Sequence, residues 1–313
     1  MRGTLRCKEV VHSFRGPVQF RQRQMVLRLP WIAKPLCFAR QSCYACWQME
    51  IAAIQTHGLT RRFGALTAVE DVTLSVSQGQ FFGFLGPNGA GKSTTIKMLT
   101  GLLEPSAGTI EILGQPFWAG ALDLKRQIGV VPEGMALLGR LTAPEYLHFV
   151  GHMYGLDRET TNQRTEELLE FMQLANESRK LVTDFSHGMQ RKLAMAAAVI
   201  HGPKVLFLDE PFEGVDAIAA GMLKTMLQGM LNRGATIFLT THVLEIVERL
   251  CSHVAIISKG RLVADGSLAE LHAGVVSTLP DAAREQRLTL EEIFLSIVGA
   301  GGLEPAQELS WLA

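Results

Sequence analysis

The chain reads Gly86-Pro87-Asn88-Gly89-Ala90-Gly91-Lys92-Ser93 directly after a short apolar run at residues 81–85. This stretch fills the template G-x-x-x-x-G-K-[ST] of a phosphate-binding loop, and a surface glycine turn is the alternative. The glycines let consecutive backbone N–H groups point at an anion, and a helix beginning near Lys92 adds the positive end of its dipole. The Lys92 ammonium would reach the outer phosphates, and the Ser93 hydroxyl is a hard ligand of the kind that Mg²⁺ prefers. The stretch therefore predicts a nucleotide site between a strand and a helix.

Length and composition place this motif in a large globular domain. The 313 residues are 47% hydrophobic, which is enough for one large domain or for a domain with a subdomain. The formal net charge is zero, so the whole chain favours neither a nucleic acid nor a membrane surface as its partner. The longest apolar stretch is interrupted by Arg28 and Pro30, so the sequence predicts no membrane span and no signal peptide.

Residues 1–48 differ from the rest of the chain. They hold seven Arg, two Lys and one acid, Glu9, and four of the five cysteines. They show no sustained period of a strand or a helix, so we expect a disordered or mis-assigned extension with the natural start at Met49; a basic arm that touches lipid or RNA is the alternative. Cys43-x-x-Cys46 lacks a second pair at a fitting distance, which argues against a zinc site. The near absence of cysteine after residue 48 is typical of a reducing cytosol.

The remainder predicts an α/β domain with two additions. Short strand patterns occur at residues 51–56, 72–76, 81–85 and 109–113, and they indicate an antiparallel patch beside the nucleotide-binding core. Helical spacing at residues 143–181 indicates a helical insertion, and two runs at residues 205–208 and 236–239 are typical of strands buried on both faces of a parallel sheet. A helical stretch at residues 218–231 separates these two runs. The alternation indicates a doubly wound core.

The carboxyl-terminal part continues this pattern. Residues 254–264 predict a hairpin around Lys259-Gly260, and a short helix at residues 268–272 would take Ser267 as its cap. One more amphipathic helix is predicted at residues 290–298. We expect an extension at residues 1–48, a nucleotide-binding domain at 49–275 with its helical insertion at about 134–195, and a carboxyl-terminal extension of unknown role at 276–313.

A second chemical signal is the apolar run at residues 205–208, which ends in Asp209-Glu210-Pro211. On a buried parallel strand, Asp209 would lie at the carboxyl edge of the sheet, within reach of a magnesium ion held by Ser93. Glu210 would then be placed to take a proton from a water that attacks the outer phosphate. The alternative interpretation is that the acidic pair only caps a helix.

A third signal is Asp184-Phe185-Ser186-His187-Gly188-Met189-Gln190, which precedes a long apolar helix at residues 189–200. Ser186 is a natural N-cap, and its hydroxyl together with free N–H groups would form a second anion site. Taken alone, an ordinary capped helix explains the residues equally well. One chain needs a single phosphate site, so the second one requires an explanation.

In this order, the motifs resemble those of the ATP-binding subunits of ABC transporters, especially the subunits that serve ABC-2 type exporters. The resemblance covers about residues 51–266. It implies a P-loop NTPase (RecA-like) core with a parallel sheet, an antiparallel β subdomain and an inserted α-helical subdomain. His187 and Met189 replace a glycine and the glutamine of the usual signature, and Glu133 replaces a glutamine, which adds a negative charge beside the phosphates.

The resemblance also implies individual roles. Glu210 would be the general base, His242 the switch histidine, Asp216 the D-loop aspartate, and Phe63 the ring that stacks on adenine. The expected catalytic residues are Glu210, His242 and Glu133, and the expected magnesium ligands are Ser93, Asp209 and Glu133. The residues expected to contact ATP are Phe63, Gly86, Pro87, Asn88, Gly89, Ala90, Gly91, Lys92, Ser93, Thr94, Ser186, Gly188 and Asp216.

The resemblance further implies that two subunits, identical or related, face head to tail around two ATP molecules, which explains the second anion site. Hydrolysis would drive separate transmembrane permease subunits from the cytoplasmic face of the membrane, for export, without a nucleic-acid partner. Two alternatives remain. A soluble ABC ATPase would need tandem P-loops or coiled-coil heptads, whereas this sequence has one P-loop and no heptad tract. A nucleotide sensor that does not hydrolyse ATP would typically lack the base, and Glu210 is present.

Overall fold

The computed structural model describes residues 52–278 and 289–299. The predicted extension at residues 1–48, the cysteine pair and the start at Met49 lie outside the described residues. Most of the predicted carboxyl-terminal extension does as well.

Within these ranges the chain alternates strands and helices. The strands are β1 (Ala52–Phe63), β2 (Leu66–Ser77), β3 (Phe81–Leu85), β4 (Ala107–Ile112), β5 (Gln115–Pro116), β6 (Ile128–Val131), β7 (Val205–Asp209), β8 (Thr236–Thr241), β9 (His253–Ser258) and β10 (Arg261–Ser267). The helices are α1 (Lys92–Leu99), α2 (Leu122–Lys125), α3 (Ala143–Met153), α4 (Arg158–Phe171), α5 (His187–Val199), α6 (Ala217–Asn232), α7 (Leu244–Leu250), α8 (Leu268–Thr278) and α9 (Leu290–Gly299).

The smaller sheet confirms the predicted antiparallel patch except for residues 81–85, which form β3 and pair in parallel with β8 and β9 in the larger sheet. Its strand order is β2-β1-β4-β5, and Ile54 on the central strand lies opposite Val76 on one side and Ile112 on the other. β1 extends to Phe63, beyond the predicted end near residue 56. The pairing continues through a register shift near Gly58, which has a φ of 60°. A bulge of this kind breaks the period-2 pattern without ending the strand, so the strand predicted from the pattern was too short.

The larger sheet confirms the predicted parallel core. Its order is β10-β9-β3-β8-β7-β6, and all neighbours are parallel except the β9–β10 hairpin. Every residue of β3, β7 and β8 is buried, as expected for strands covered on both faces. Side chains alternate between the faces: Phe81 and Leu85 join the core beneath the helices, whereas Phe82 and Phe84 join the core beneath the smaller sheet. The carboxyl ends of β3, β6, β7 and β8 therefore lie along one edge.

The helical insertion has local signals at each start. α3 begins at a capping box in which the Thr142 backbone N–H donates to Glu145 at 2.8 Å, and α4 begins at Asp157, which accepts from the Thr160 N–H at 2.9 Å. The predicted helical pattern to residue 181 was too long, because α4 ends at Phe171. Gln173 has a φ of 56° there and turns the chain so that Leu174 is buried.

Of the last two helices, α8 is longer than predicted and α9 has about the predicted length. α8 runs to Thr278 instead of residue 272, and its cap is the predicted Ser267, whose hydroxyl accepts from the Glu270 N–H at 3.2 Å. α9 covers the predicted residues 290–298, and its Leu290 N–H donates to Glu248 of α7 at 2.5 Å. Leu290 and Ile293 are fully buried, so this helix contributes to the main core. None of the helices in residues 52–278 and 289–299 has the length and apolar character needed to cross a membrane.

Candidate functional site

The glycine-rich loop connects the carboxyl end of β3 to the first residue of α1, where the sequence predicted it. Gly91 has a φ of 110°, and a Cβ on it would lie 2.7 Å from the Ala68 carbonyl oxygen. A Cβ on Gly86 would lie 2.4 Å from the carbonyl oxygen of Ile257. Both distances are well below van der Waals contact, so the loop can approach its neighbours this closely only with glycine at these positions.

Lys92 is buried and bends back over this loop. Its Nζ donates to the carbonyl oxygen of Gly86 at 2.8 Å and to that of Pro87 at 3.2 Å. α1 has no side-chain cap and no acid in its first turn, so its first N–H groups lack a side-chain acceptor. The ammonium and the helix dipole together make this end of α1 suitable for a phosphate group.

Asp209 ends β7 and is 2% exposed. Thr240, opposite it on β8, donates its hydroxyl to Asp209 Oδ1 at 2.5 Å. Burial raises the pKa of the Asp209 carboxyl, whereas the hydrogen bond from the Thr240 hydroxyl and the nearby Ser93 hydroxyl oppose that rise. The carboxylate is therefore fixed at the sheet edge, next to the start of α1.

A set of hard oxygen atoms lies between α1 and the sheet. The Ser93 hydroxyl donates to Glu133 Oε2 at 3.2 Å, and it is also close enough to Asp209 to influence the pKa of that carboxyl. In the described chain no group of three or more His, Cys, Asp or Glu side chains is arranged to hold a metal ion by itself. One hydroxyl and two carboxylates suit Mg²⁺, which usually keeps several waters and takes further oxygens from bound phosphates.

Glu210 follows Asp209 in a left-handed backbone conformation, with a φ of 48°. Such a φ is rare for a residue other than glycine and is held here by the Glu210 N–H, which donates to the Thr240 carbonyl at 3.1 Å. The Glu210 side chain is largely buried, and its Oε1 lies 3.1 Å from Nδ1 of the half-exposed His242. The turn thus directs a carboxylate into the site and pairs it with an imidazole.

Most of these groups line one cavity of about 320 Å³, although the predicted residues Gly86, Pro87, Ala90 and Asp209 do not. The predicted site residues that line it are Asn88, Gly89, Gly91, Lys92, Ser93, Thr94, Glu133, Glu210 and His242. Ala68 and Glu213 also line it, and the sequence interpretation missed both. Glu213 could have been predicted, because it is a third acid that follows Asp209 and Glu210 by a few residues. No feature of the sequence indicates a role for Ala68.

Four predicted residues lie away from the loop and do not line this cavity in the described chain. Ser186 caps α5 and accepts from the Met189 N–H at 3.3 Å, and Gly188 lies in the first turn of that helix. Asp216 caps α6, and the Ala219 N–H, at 2.8 Å, lowers the pKa of its carboxyl. Phe63 ends β1 and is 46% exposed, with the Arg61 guanidinium 4.6 Å from the centre of its ring. In a single chain these residues belong to local caps and contacts instead of the cavity.

A larger cavity of about 640 Å³ lies between α4, the carboxyl end of α5 and the carboxyl half of α6. It contains none of the predicted site residues. Its lining is mainly apolar, with Arg164, Lys204 and Arg233 among it. Because it lacks both the loop and the carboxylates, the smaller cavity is the candidate site.

The chain resembles known ATP-binding proteins in sequence and in fold. A family model described as ABC transporter matches residues 69–213. The Nod factor export ATP-binding protein I of Burkholderia lata is 39% identical over 219 residues, which cover 70% of this chain and 72% of that protein. The linearmycin resistance ATP-binding protein LnrL of Bacillus subtilis (strain 168) is 36% identical, over 70% of each chain. A solved ATP-binding subunit of an ABC transporter superposes with a TM-score of 0.72 at 32% identity, over 78% of this chain and 99% of that one.

Proposed function

Because the chain belongs to the ABC transporter family of ATP-binding proteins, we propose that it is the ATP-hydrolysing subunit of an exporter. The observation that carries the proposal is that Lys92, the glycine-rich loop and the Glu210–His242 pair line the same cavity. A phosphate-binding loop alone suits many nucleotide-binding proteins. A buried carboxylate aimed at the same cavity suits hydrolysis, because attack by water requires a nearby general base.

The cavity residues fit a magnesium nucleotide. The loop N–H groups, the first turn of α1 and Lys92 would bind the phosphates. Phe63 would stack on the adenine with one face of its ring, either opposite the Arg61 guanidinium or on the same face after Arg61 moves away. Ser93, Asp209 and Glu133 would hold Mg²⁺, which supplies charge neutralisation at the phosphates when bound.

The chain's own residues then have separate roles in hydrolysis. Glu210 Oε accepts the proton of the attacking water, and His242, at 3.1 Å, orients that carboxylate and offers a donor to the outer phosphate. Lys92 stabilises the charge that develops on the leaving oxygens. Because Glu210 is almost fully buried, little bulk water competes for the hydrogen bonds of its carboxylate.

The residues that do not line the cavity support a paired arrangement. Ser186 and Gly188, at the start of α5, do not line the cavity of their own chain, and a Cβ on Gly188 would meet no atom within 4 Å. We propose that a second ATP-binding subunit, identical or related, uses this helix start to complete the phosphate site of its neighbour. Asp216, at the start of α6, would lie in the same contact.

The transmembrane partners would bind the helical insertion. Large apolar side chains are exposed there, including Phe149 at 47% and Met153 at 67%. Glu133 follows β6 at the edge of the cavity and leads into this insertion, so it would pass nucleotide-dependent movement to permease subunits on the cytoplasmic face. The names of the two relatives concern different molecules, Nod factors and linearmycin.

The experiment is ATP turnover of the full chain, wild type beside Glu210→Gln. We expect the variant to lose at least about a hundredfold in turnover, which is the usual contribution of a general base, and to keep ATP binding. Light scattering should show a dimer that persists with ATP in the variant and disperses after turnover in the wild type. The exposed Glu245→Gln, whose side chain pairs with Arg249 on α7, is the control. Wild-type turnover in Glu210→Gln would refute the assignment, and tight ATP binding without turnover in the wild type, even with permease subunits, would identify a sensor.

A further inference from the structure

Arg191 is a charged side chain in the interior of the protein. It lies on α5, one turn after the helix begins at His187, and is 1% exposed. Its Nε and Nη1 atoms are buried and make no hydrogen bond to any described residue. A buried guanidinium with two nitrogen atoms that lack a hydrogen-bond acceptor is costly, because those N–H groups lose water without gaining a protein partner. A position of this kind requires a compensating interaction.

That compensation comes from acids. The charged neighbours of Arg191 are the carboxylates of Glu213, Glu133, Glu210 and Asp209. Burial lowers the pKa of Arg191, and these four carboxylates oppose that effect. Three of the four, the glutamates, line the nucleotide cavity, whereas Arg191 itself does not. The start of α5 packs beside this part of the chain, because a Cβ on Gly214, the residue after Glu213, would lie 3.1 Å from Nδ1 of His187, one turn before Arg191.

The acidic wall, defined as Glu133, Asp209, Glu210 and Glu213, is unfavourable for a polyphosphate ligand. Lys92 is the one Lys or Arg that lines the cavity in the described residues. Glu133 adds a carboxylate that reaches Ser93 at 3.2 Å, beside the loop that would hold the phosphates. Like charges at such distances repel each other unless an opposite charge lies close by.

We infer that Arg191 is a positioning residue that balances the acidic wall, and the charge of Glu133 in particular, so that a nucleoside triphosphate can bind beside it. The inference rests on the proposed function for the identity of the ligand. α5 then has a second role, because the helix that carries Ser186 and Gly188 at its start also carries the counter-charge of the cavity one turn later. Nothing in this role requires Arg191 to touch the nucleotide.

The test measures nucleotide affinity without magnesium and without turnover. The full chain is titrated with a fluorescent ATP analogue in EDTA, and thermal unfolding is followed in parallel. Arg191→Met removes the charge with little change in length, and we expect about tenfold weaker binding. Arg191→Lys keeps the charge and should stay within about threefold of the wild type. Arg191→Met combined with Glu133→Gln should also return to within about threefold, because the unbalanced carboxylate is gone.

Arg164→Met is the matched control. Arg164 on α4 donates to the Ile200 carbonyl at 2.7 Å and lines the larger cavity instead of the nucleotide site. Its loss should lower thermal stability and leave nucleotide affinity unchanged. Lower thermal stability with unchanged nucleotide affinity in Arg191→Met would overturn the inference, since it would show a structural role only. Arg191→Met should weaken binding less in the Glu133→Gln background than in the wild-type background. An equal loss of affinity in the two backgrounds would overturn the inference as well.

A further measurement applies if Arg191→Met does not fold. With Arg191 in place, Glu133→Gln alone should strengthen binding by less than about threefold, because the carboxylate is already balanced. A gain of about tenfold or more would mean that Glu133 is unbalanced in the wild type, and the inference would be wrong. Binding of the analogue by the wild type tests the proposed nucleotide site independently, so failure of the two proposals can be told apart.

Discussion

His201 provides a quantitative prediction about acid stability. Its ring stacks on Tyr154 with a centroid distance of 3.7 Å and an angle of 11°. Nε2 lies 3.0 Å from the Ile128 carbonyl oxygen and donates to it, whereas Nδ1 is buried without a hydrogen-bond partner in the described residues. Burial lowers the pKa of His201 from 6.5 to about 4, with the nearby Arg164 charge adding to the effect and the Ile128 contact opposing it.

The direction of the pH effect follows from that difference. Above pH 6.5, His201 is neutral in the folded and the unfolded chain, so it imposes no penalty; below about pH 4 it is protonated in both, and the folded chain bears the full penalty. Stability is therefore lost as the pH falls through this window. The lower pKa corresponds to about 3 kcal/mol in full and about 2 kcal/mol at pH 5. Because the ring keeps some contact with solvent, we expect about 1–2 kcal/mol at pH 5.

The assay is urea unfolding of the full chain near pH 7.5 and near pH 5, with His201→Phe as the variant. Phenylalanine keeps an aromatic ring against Tyr154 but cannot titrate, and it loses the hydrogen bond to Ile128, which costs about 1 kcal/mol at both pH values. The variant should therefore be less stable than the wild type near pH 7.5 and equal to it or more stable near pH 5. Parallel losses of stability in the two proteins on acidification would refute the reasoning, because other titrating groups are common to both.

Two further predictions concern the loop and the last described helix. Gly86→Ala places a Cβ 2.4 Å from the Ile257 carbonyl oxygen, so the loop must shift. Titration with a fluorescent ATP analogue should then show at least about tenfold weaker binding. Unchanged affinity would contradict the fixed loop geometry. Leu290→Ala should lower the free energy of unfolding by about 2–5 kcal/mol because this side chain is fully buried, whereas Leu295→Ala, at 48% exposure, should cost less than about 0.5 kcal/mol; equal small losses in urea unfolding would show that α9 is not part of the core.

The elements predicted well are those whose signals are local. β3 was predicted to the residue, because five consecutive residues of apolar character end at a glycine-rich loop. The starts of α1 and α5 followed from the phosphate-loop template and from the Ser186 cap. The ends of β1 and α4 were missed, since a bulge near Gly58 and a left-handed Gln173 depend on neighbours in space. The roles of the predicted site residues remain predictions for the experiments above.

The sequence by itself determined the α/β class, the loop that suits a phosphate and the order of acidic and capped segments after it. It could do so because glycine conformations, N-caps and apolar periodicity act over a few residues. Only the tertiary structure decided that Glu133, Glu210 and Glu213 line one cavity and that Ser186 does not. It also decided that Arg191 is buried with no hydrogen bond from its Nε and Nη1 to the described residues. These facts depend on which strands lie side by side and which helix packs behind them, and residues separated by dozens of positions carry no local record of that arrangement.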